Sequence, residues 1–88
     1  MERTWIKIYD VCHSHQIEMQ FVRELSSSGL IELITEEEIE FIDEEQLILL
    51  EQFANWHYEL ELNIQGIEVA RHLLAKIEHL QRELSRLQ

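Results

Sequence analysis

The chain has 88 residues, 45% of them hydrophobic, with seven Lys and Arg against eighteen Asp and Glu and a formal net charge of −11. That length supports one domain with a modest core, and the apolar fraction is that of a globular chain, not a disordered one. A negative field of this size repels nucleic acid and anionic membranes and attracts basic protein surfaces, while the single cysteine, Cys12, excludes an internal disulfide. No apolar run approaches the roughly 20 residues needed to cross a bilayer, and the opening MERTWIKIYD lacks the apolar core of a signal peptide. A cytoplasmic protein is expected.

Residues 4 to 8 alternate, with Trp5, Ile6 and Ile8 apolar around Lys7, and predict a short strand or lead-in. Residues 9 to 15 follow, with Val11 and Cys12 placed for the buried side of a short helix, and Ile17 is the apolar plug of a turn. Residues 18 to 27 put Phe21, Val22 and Leu25 on one helical face. The run SSSG closes that helix, with Gly29 as a left-handed cap. This is a helix-turn-helix pattern. A small β-hairpin comes next: Ile31, Leu33, Ile34, Ile39, Phe41 and Ile42 flank an acidic turn.

Asp43 with Gln46 three residues on has the form of a capping box, and Glu44 and Glu45 sit at the positive end of the helix dipole that follows. The helix carries Leu47, Ile48, Leu50, Phe53, Ala54, His57 and Leu60, with Trp56 near the face opposite Phe53 and His57 and so placed for partial exposure, although such a residue is more often in a core or a dimer interface. Asn63 caps a last helix. That helix holds Ala70, Leu73, Ile77, Leu80, Leu84 and Leu87 at alternating spacings of three and four, the seam of a short coiled coil. The stripe, widened by Ile67 and Leu74, packs either on the domain's own core or, in its C-terminal half, on a second copy. The reach of the helix beyond so small a domain favours the homodimer. The architecture predicted is one mainly α domain over 1–88. It divides into a winged helix-turn-helix core over about 8–62 and a dimerising coiled-coil helix over about 63–88.

These elements resemble a known superfamily. Val11-Cys12, Ile17, Glu24-Leu25 and Gly29-Leu30-Ile31-Glu32 resemble the opening of the MerR-type helix-turn-helix proteins. The run ELELNIQGIEVA, residues 59 to 70, with Ile77-Glu78-His79-Leu80 and the leucine-spaced end, is similar to the chaperone-modulator branch, the CbpM family. The resemblance covers about residues 8 to 87. Three positions and the wing depart from the pattern. Gln16 stands where the turn often has glycine, Glu18 where Ser or Thr caps the second helix, and Leu33 where proline is common; the wing lacks the Arg and Tyr of DNA-binding members. The resemblance implies a small adaptor that binds the J-domain of a DnaJ/CbpA-like co-chaperone and blocks its action on Hsp70 by covering the basic helix J-domains present to Hsp70.

Charge separates the possible functions. Phosphate contacts require Lys and Arg, yet the second helix offers Arg23 against Glu18 and Glu24, and residues 24 to 70 contain no Lys or Arg at all. DNA binding, in the manner of a MerR-type transcriptional regulator, is therefore the alternative reading, and an adaptor for some other basic protein a third. The expected partner-binding set is Glu36, Glu37, Glu38, Glu40, Asp43, Glu44, Glu45, Glu59 and Glu61, with Phe41 and Trp56 as apolar anchors, because charge sets encounter and choice while affinity needs a buried anchor. Clustered glutamates are more often a solvated face, and 43 to 45 have a local role at a helix start. Cys12, His13 and His15 lack the second ligand pair of a zinc site. His72 and His79 lie on one helix face, placed to make an interface pH-sensitive. No phosphate loop, nucleophile elbow or HExxH motif is present, so no enzyme activity and no cofactor are expected.

Overall fold

The computed structural model describes residues 3–88. In chain order it comprises β1 (Trp5–Lys7), α1 (Ile8–His15), α2 (Met19–Ser27), β2 (Ile34–Glu36), β3 (Ile39–Asp43), α3 (Glu44–Leu60) and α4 (Ile64–Arg86). This is the mainly helical winged helix-turn-helix architecture expected.

α1 and α2 form the helix-turn-helix around Val11, Ile17, Phe21, Val22 and Leu25, all buried. The turn depends on Gln16, which adopts the left-handed conformation (φ 54°, ψ 47°) and closes α1 by donating its N–H to the Cys12 carbonyl. A residue with a Cβ is disfavoured there, which explains the usual glycine. Glu18 makes no side-chain cap bond at the start of α2; instead its N–H donates to the Tyr58 hydroxyl at 3.0 Å, tying the turn to α3. Gly29 ends α2 at φ 77° with open space around its α-carbon, so backbone conformation alone demands glycine there.

The wing is larger than the hairpin expected. β1 joins it as a third antiparallel strand in the order β1-β3-β2, with Trp5 opposite Asp43 and Ile34 opposite Phe41. Local alternation revealed β1 as a candidate strand; its pairing across most of the domain has no local signal. The hairpin turn is the two-residue Glu37-Glu38, both with positive φ (49° and 68°). Such a turn matches strand twist, but it favours Asn-Gly. Replacing Glu37→Asn and Glu38→Gly is expected to raise stability by about 1 kcal/mol, read as a higher urea midpoint at unchanged slope. A lower midpoint would mean the two carboxylates stabilise the turn by contacts other than its backbone.

The capping box at α3 forms only in half. Asp43 accepts from the Glu45 N–H at 3.0 Å, but Gln46 turns away and accepts from the Glu32 N–H at 3.0 Å. Arg3 also approaches Asp43, at 3.6 Å. Leu50, Phe53 and Ala54 are the buried face of α3, whereas Ile48 and Leu60 point outward despite their apolar character. Trp56 does not lie opposite Phe53: the two are neighbours one turn apart, with ring centroids 5.7 Å apart, and Trp56 is half-buried.

Asn63 caps α4 by accepting from the Gly66 N–H at 2.8 Å. The corner before it is held by His57, whose Nδ1–H donates to the Leu62 carbonyl at 2.8 Å while its ring stacks on Phe21 at 4.3 Å. Ile67 is the one residue of α4 that is fully buried, and every residue from 71 onward is exposed. Arg71 adds a second attachment, donating to the Leu30 carbonyl at 3.2 Å and lying 5.6 Å over the Phe53 ring. α4, about 34 Å long by its rise per residue, is therefore rooted by its N-terminal turns, as far as Leu74 beside Trp56, and exposed along the rest.

Candidate functional site

Three surfaces carry the side chains singled out by the sequence. The first is the wing. Glu36 closes β2, Glu37 and Glu38 form its tip, and all three are exposed. Holding two carboxylates in the left-handed region where Asn-Gly would fit better costs backbone energy, an observation that points to a use for the charge. Phe41 is half-buried in β3 beside them.

The second helix, α2, would be the DNA-reading element of a winged helix protein. Its one base, Arg23, is already engaged: Nη2 lies 3.4 Å from Oε1 of Glu40 on β3. Glu40 is thus an intramolecular partner of α2 and faces away from the exposed tip. Local spacing does not reveal this pairing, because the residues are joined only by the folding of the wing onto α2. Beneath it, burial pushes the Cys12 thiol above its ordinary pKa, with the Glu40 carboxylate adding to the shift. Cys12 behaves as a small, half-buried, protonated side chain.

The remaining acids separate. Asp43 is buried at 9% exposure as a helix cap, with Glu44 and Glu45 exposed next to it at the root of β3. Glu59 lies at the other end of α3, about 22 Å from Glu44 by helical rise, and Glu61 follows as the left-handed C-cap at φ 57°. Trp56 is packed between α3 and α4 near Leu49, Arg71 and Leu74. The structure brings Glu36, Glu37, Glu38 and Phe41 together at the tip, puts Asp43, Glu44 and Glu45 at the root of the same strand, and leaves Trp56, Glu59 and Glu61 elsewhere.

The third surface is the α4 seam. Ala70 is half-buried, while Leu73, Ile77, Leu80, Leu84 and Leu87 are 48–84% exposed and lie along one stripe. These side chains make a contiguous exposed apolar stripe on a projecting helix.

A winged helix-turn-helix followed by a long, seamed helix is the layout now on the page. The model of one family, described as MerR HTH family regulatory protein, matches residues 6–88. The chain belongs to the MerR helix-turn-helix family. No curated protein and no solved structure shows significant similarity to it. The MerR match begins inside β1 and runs through α4, so it takes in the third strand and the seam as well as the helix-turn-helix. Among the described residues no helix is long and apolar enough to cross a membrane, and no three His, Cys, Asp or Glu side chains gather in a metal-binding arrangement. Sequence reasoning missed Trp5, Ile34 and Ile39 as surface residues of the wing; their alternation was visible, but only the register shows that they share a face.

Proposed function

We propose that this MerR-family protein is a non-catalytic modulator that binds the J-domain of a DnaJ/CbpA-type co-chaperone through its acidic wing, inhibits it, and acts as a homodimer joined along α4. The observation that carries the reading is the Arg23–Glu40 ion pair: the single base of the would-be DNA-reading helix is neutralised by the wing's own carboxylate. With Glu36, Glu37 and Glu38 at the tip, the surface that would meet phosphate in a DNA-binding relative instead matches a basic protein helix. The resemblance of the 59–70 run to the chaperone-modulator branch supplies the identity of that helix. The unpartnered stripe on α4 supports the dimer.

Calorimetric titration with the isolated J-domain of a CbpA-type co-chaperone tests it. Saturable binding is expected, weaker at higher salt, and reversal of the tip by Glu36→Lys, Glu37→Lys and Glu38→Lys should weaken it at least about tenfold, with helical circular dichroism confirming that the variant folds. Absence of heat at concentrations well above micromolar, at either salt, would sink the reading.

A DNA-binding regulator is the second reading, supported by the family match itself. It requires Arg23 to leave Glu40. Retarded migration of duplex DNA at low salt, abolished by Arg23→Ala, would favour it over the modulator.

A further inference from the structure

We propose that the outer face of the three-stranded sheet is a docking surface for a basic amphipathic helix. The proposal rests on the reading that the partner is a basic protein and adds where on the fold that partner lies.

The register sorts the strands into two faces. Ile6 pairs with Ile42, and the helices pack on their side, where Ile42 is fully buried. Trp5, Lys7, Ile34, Glu36, Ile39 and Phe41 stand on the opposite side, since successive side chains alternate across a sheet. Trp5, Ile34 and Ile39 are 40%, 41% and 43% exposed, three large apolar side chains on a sheet only three strands wide. Trp5, Ile34, Glu36 and Phe41 line one shallow depression in this face. In a small domain whose core has claimed twelve buried apolar residues, a second apolar surface away from that core calls for an occupant.

Charge and length choose the occupant. Acids lie at both ends of β3: Glu36, Glu37 and Glu38 at the tip, Glu44 and Glu45 at the root. Lys7, opposite Phe41 on this same face, is the only base within the three strands, so the basic residues of an occupant belong at the two acidic ends and its apolar stripe over the middle. An anionic lipid surface is repelled by that frame, and a second acidic copy of this chain is no better suited. β3 spans about 14 Å, which a helix covers in about nine residues. A helix with apolar residues on one stripe, resting on Trp5, Phe41, Ile34 and Ile39, and with Lys or Arg at each end of that stripe satisfies both features. The aromatic pair is the anchor and the glutamates are the rim.

The chain has two tryptophans, so Trp56→Phe leaves Trp5 as a sole fluorescent reporter on this face. The reporter is titrated with the isolated J-domain and, separately, with a short synthetic Leu/Lys amphipathic helix. The expected result is a blue shift of Trp5 emission with each, a loss of affinity of at least about tenfold in Ile39→Glu, and little change in Glu68→Lys, exposed on α4. The Ile39 side chain is surface-exposed, so that variant should fold; its thermal melt checks this, and Ile34→Glu serves as a second version. J-domain binding with unmoved Trp5 emission and unaffected Ile39→Glu and Ile34→Glu affinity would overturn this site while leaving the proposed function intact. Binding of the synthetic helix at Trp5 without any J-domain binding would support the site and overturn the function. Failure of both probes would overturn both.

Discussion

Replacing Leu80→Glu and Leu84→Glu is expected to abolish the proposed self-association along α4 while leaving the winged domain folded. Both side chains lie on the exposed seam, well past Ile67, the last fully buried contact of α4 with the domain. In a two-fold pair each substitution counts twice. Burying a leucine is worth about 1.5–3 kcal/mol, so losing four exceeds about 6 kcal/mol before the penalty for burying carboxylates. The dissociation constant should rise by at least about ten-thousandfold, which sedimentation equilibrium would read as a monomer across the accessible range. Helical signal should fall as well, since the free half of α4 is marginal without a partner. A wild-type chain that sediments as a monomer at high concentration would remove the homodimer, and the seam would then belong to a different protein.

Phe53→Ala is expected to cost about 3–5 kcal/mol, out of a total of about 5–15 kcal/mol for a domain of this kind. Phe53 is 1% exposed and sits where α3 meets α4: Trp56 of its own helix tilts against its ring and the Arg71 guanidinium covers it from α4. Truncation would leave a cavity and loosen the root of α4 together. A urea melt should show the midpoint collapse, with the proposed α4 self-association weakening in parallel. Ile48→Ala, on the exposed side of the same helix, should shift stability by under about 0.5 kcal/mol. Similar losses at the two positions would contradict the core described for α3.

Much of the fold was legible in the sequence because its signals are local. Asn63 and Asp43 announce helix starts through a side chain within reach of their own backbone. Phe21, Val22 and Leu25 reveal a buried helical face by spacing alone. What escaped is what the chain brings together from a distance. β1 pairs with β3, Gln46 serves Glu32 across a loop instead of closing the capping box, and Arg23 finds Glu40. No periodicity encodes these contacts, which arise only once the wing has folded back over α1 and α2. The same division applies to the candidate site. The acidic tip was readable as a run of glutamates, whereas the apolar sheet face beside it required a register. The scatter of Glu59 and Glu61 away from the wing followed from the straightness of α3 rather than from any property of those residues.

The pairing of Trp5 with Asp43 has a kinetic consequence. It closes a loop of roughly 40 residues that encloses both helices of the helix-turn-helix, and such closure carries an entropic cost that local helices and a two-residue hairpin do not. The hairpin and α1–α2 can therefore assemble early, with β1 arriving last. A surface built from β1 together with β2 and β3 does not exist on a half-made chain. Recognition through that face would double as an inspection of the protein's own completeness, because a nascent or nicked molecule could display every glutamate of the tip and still present no place for a partner to settle.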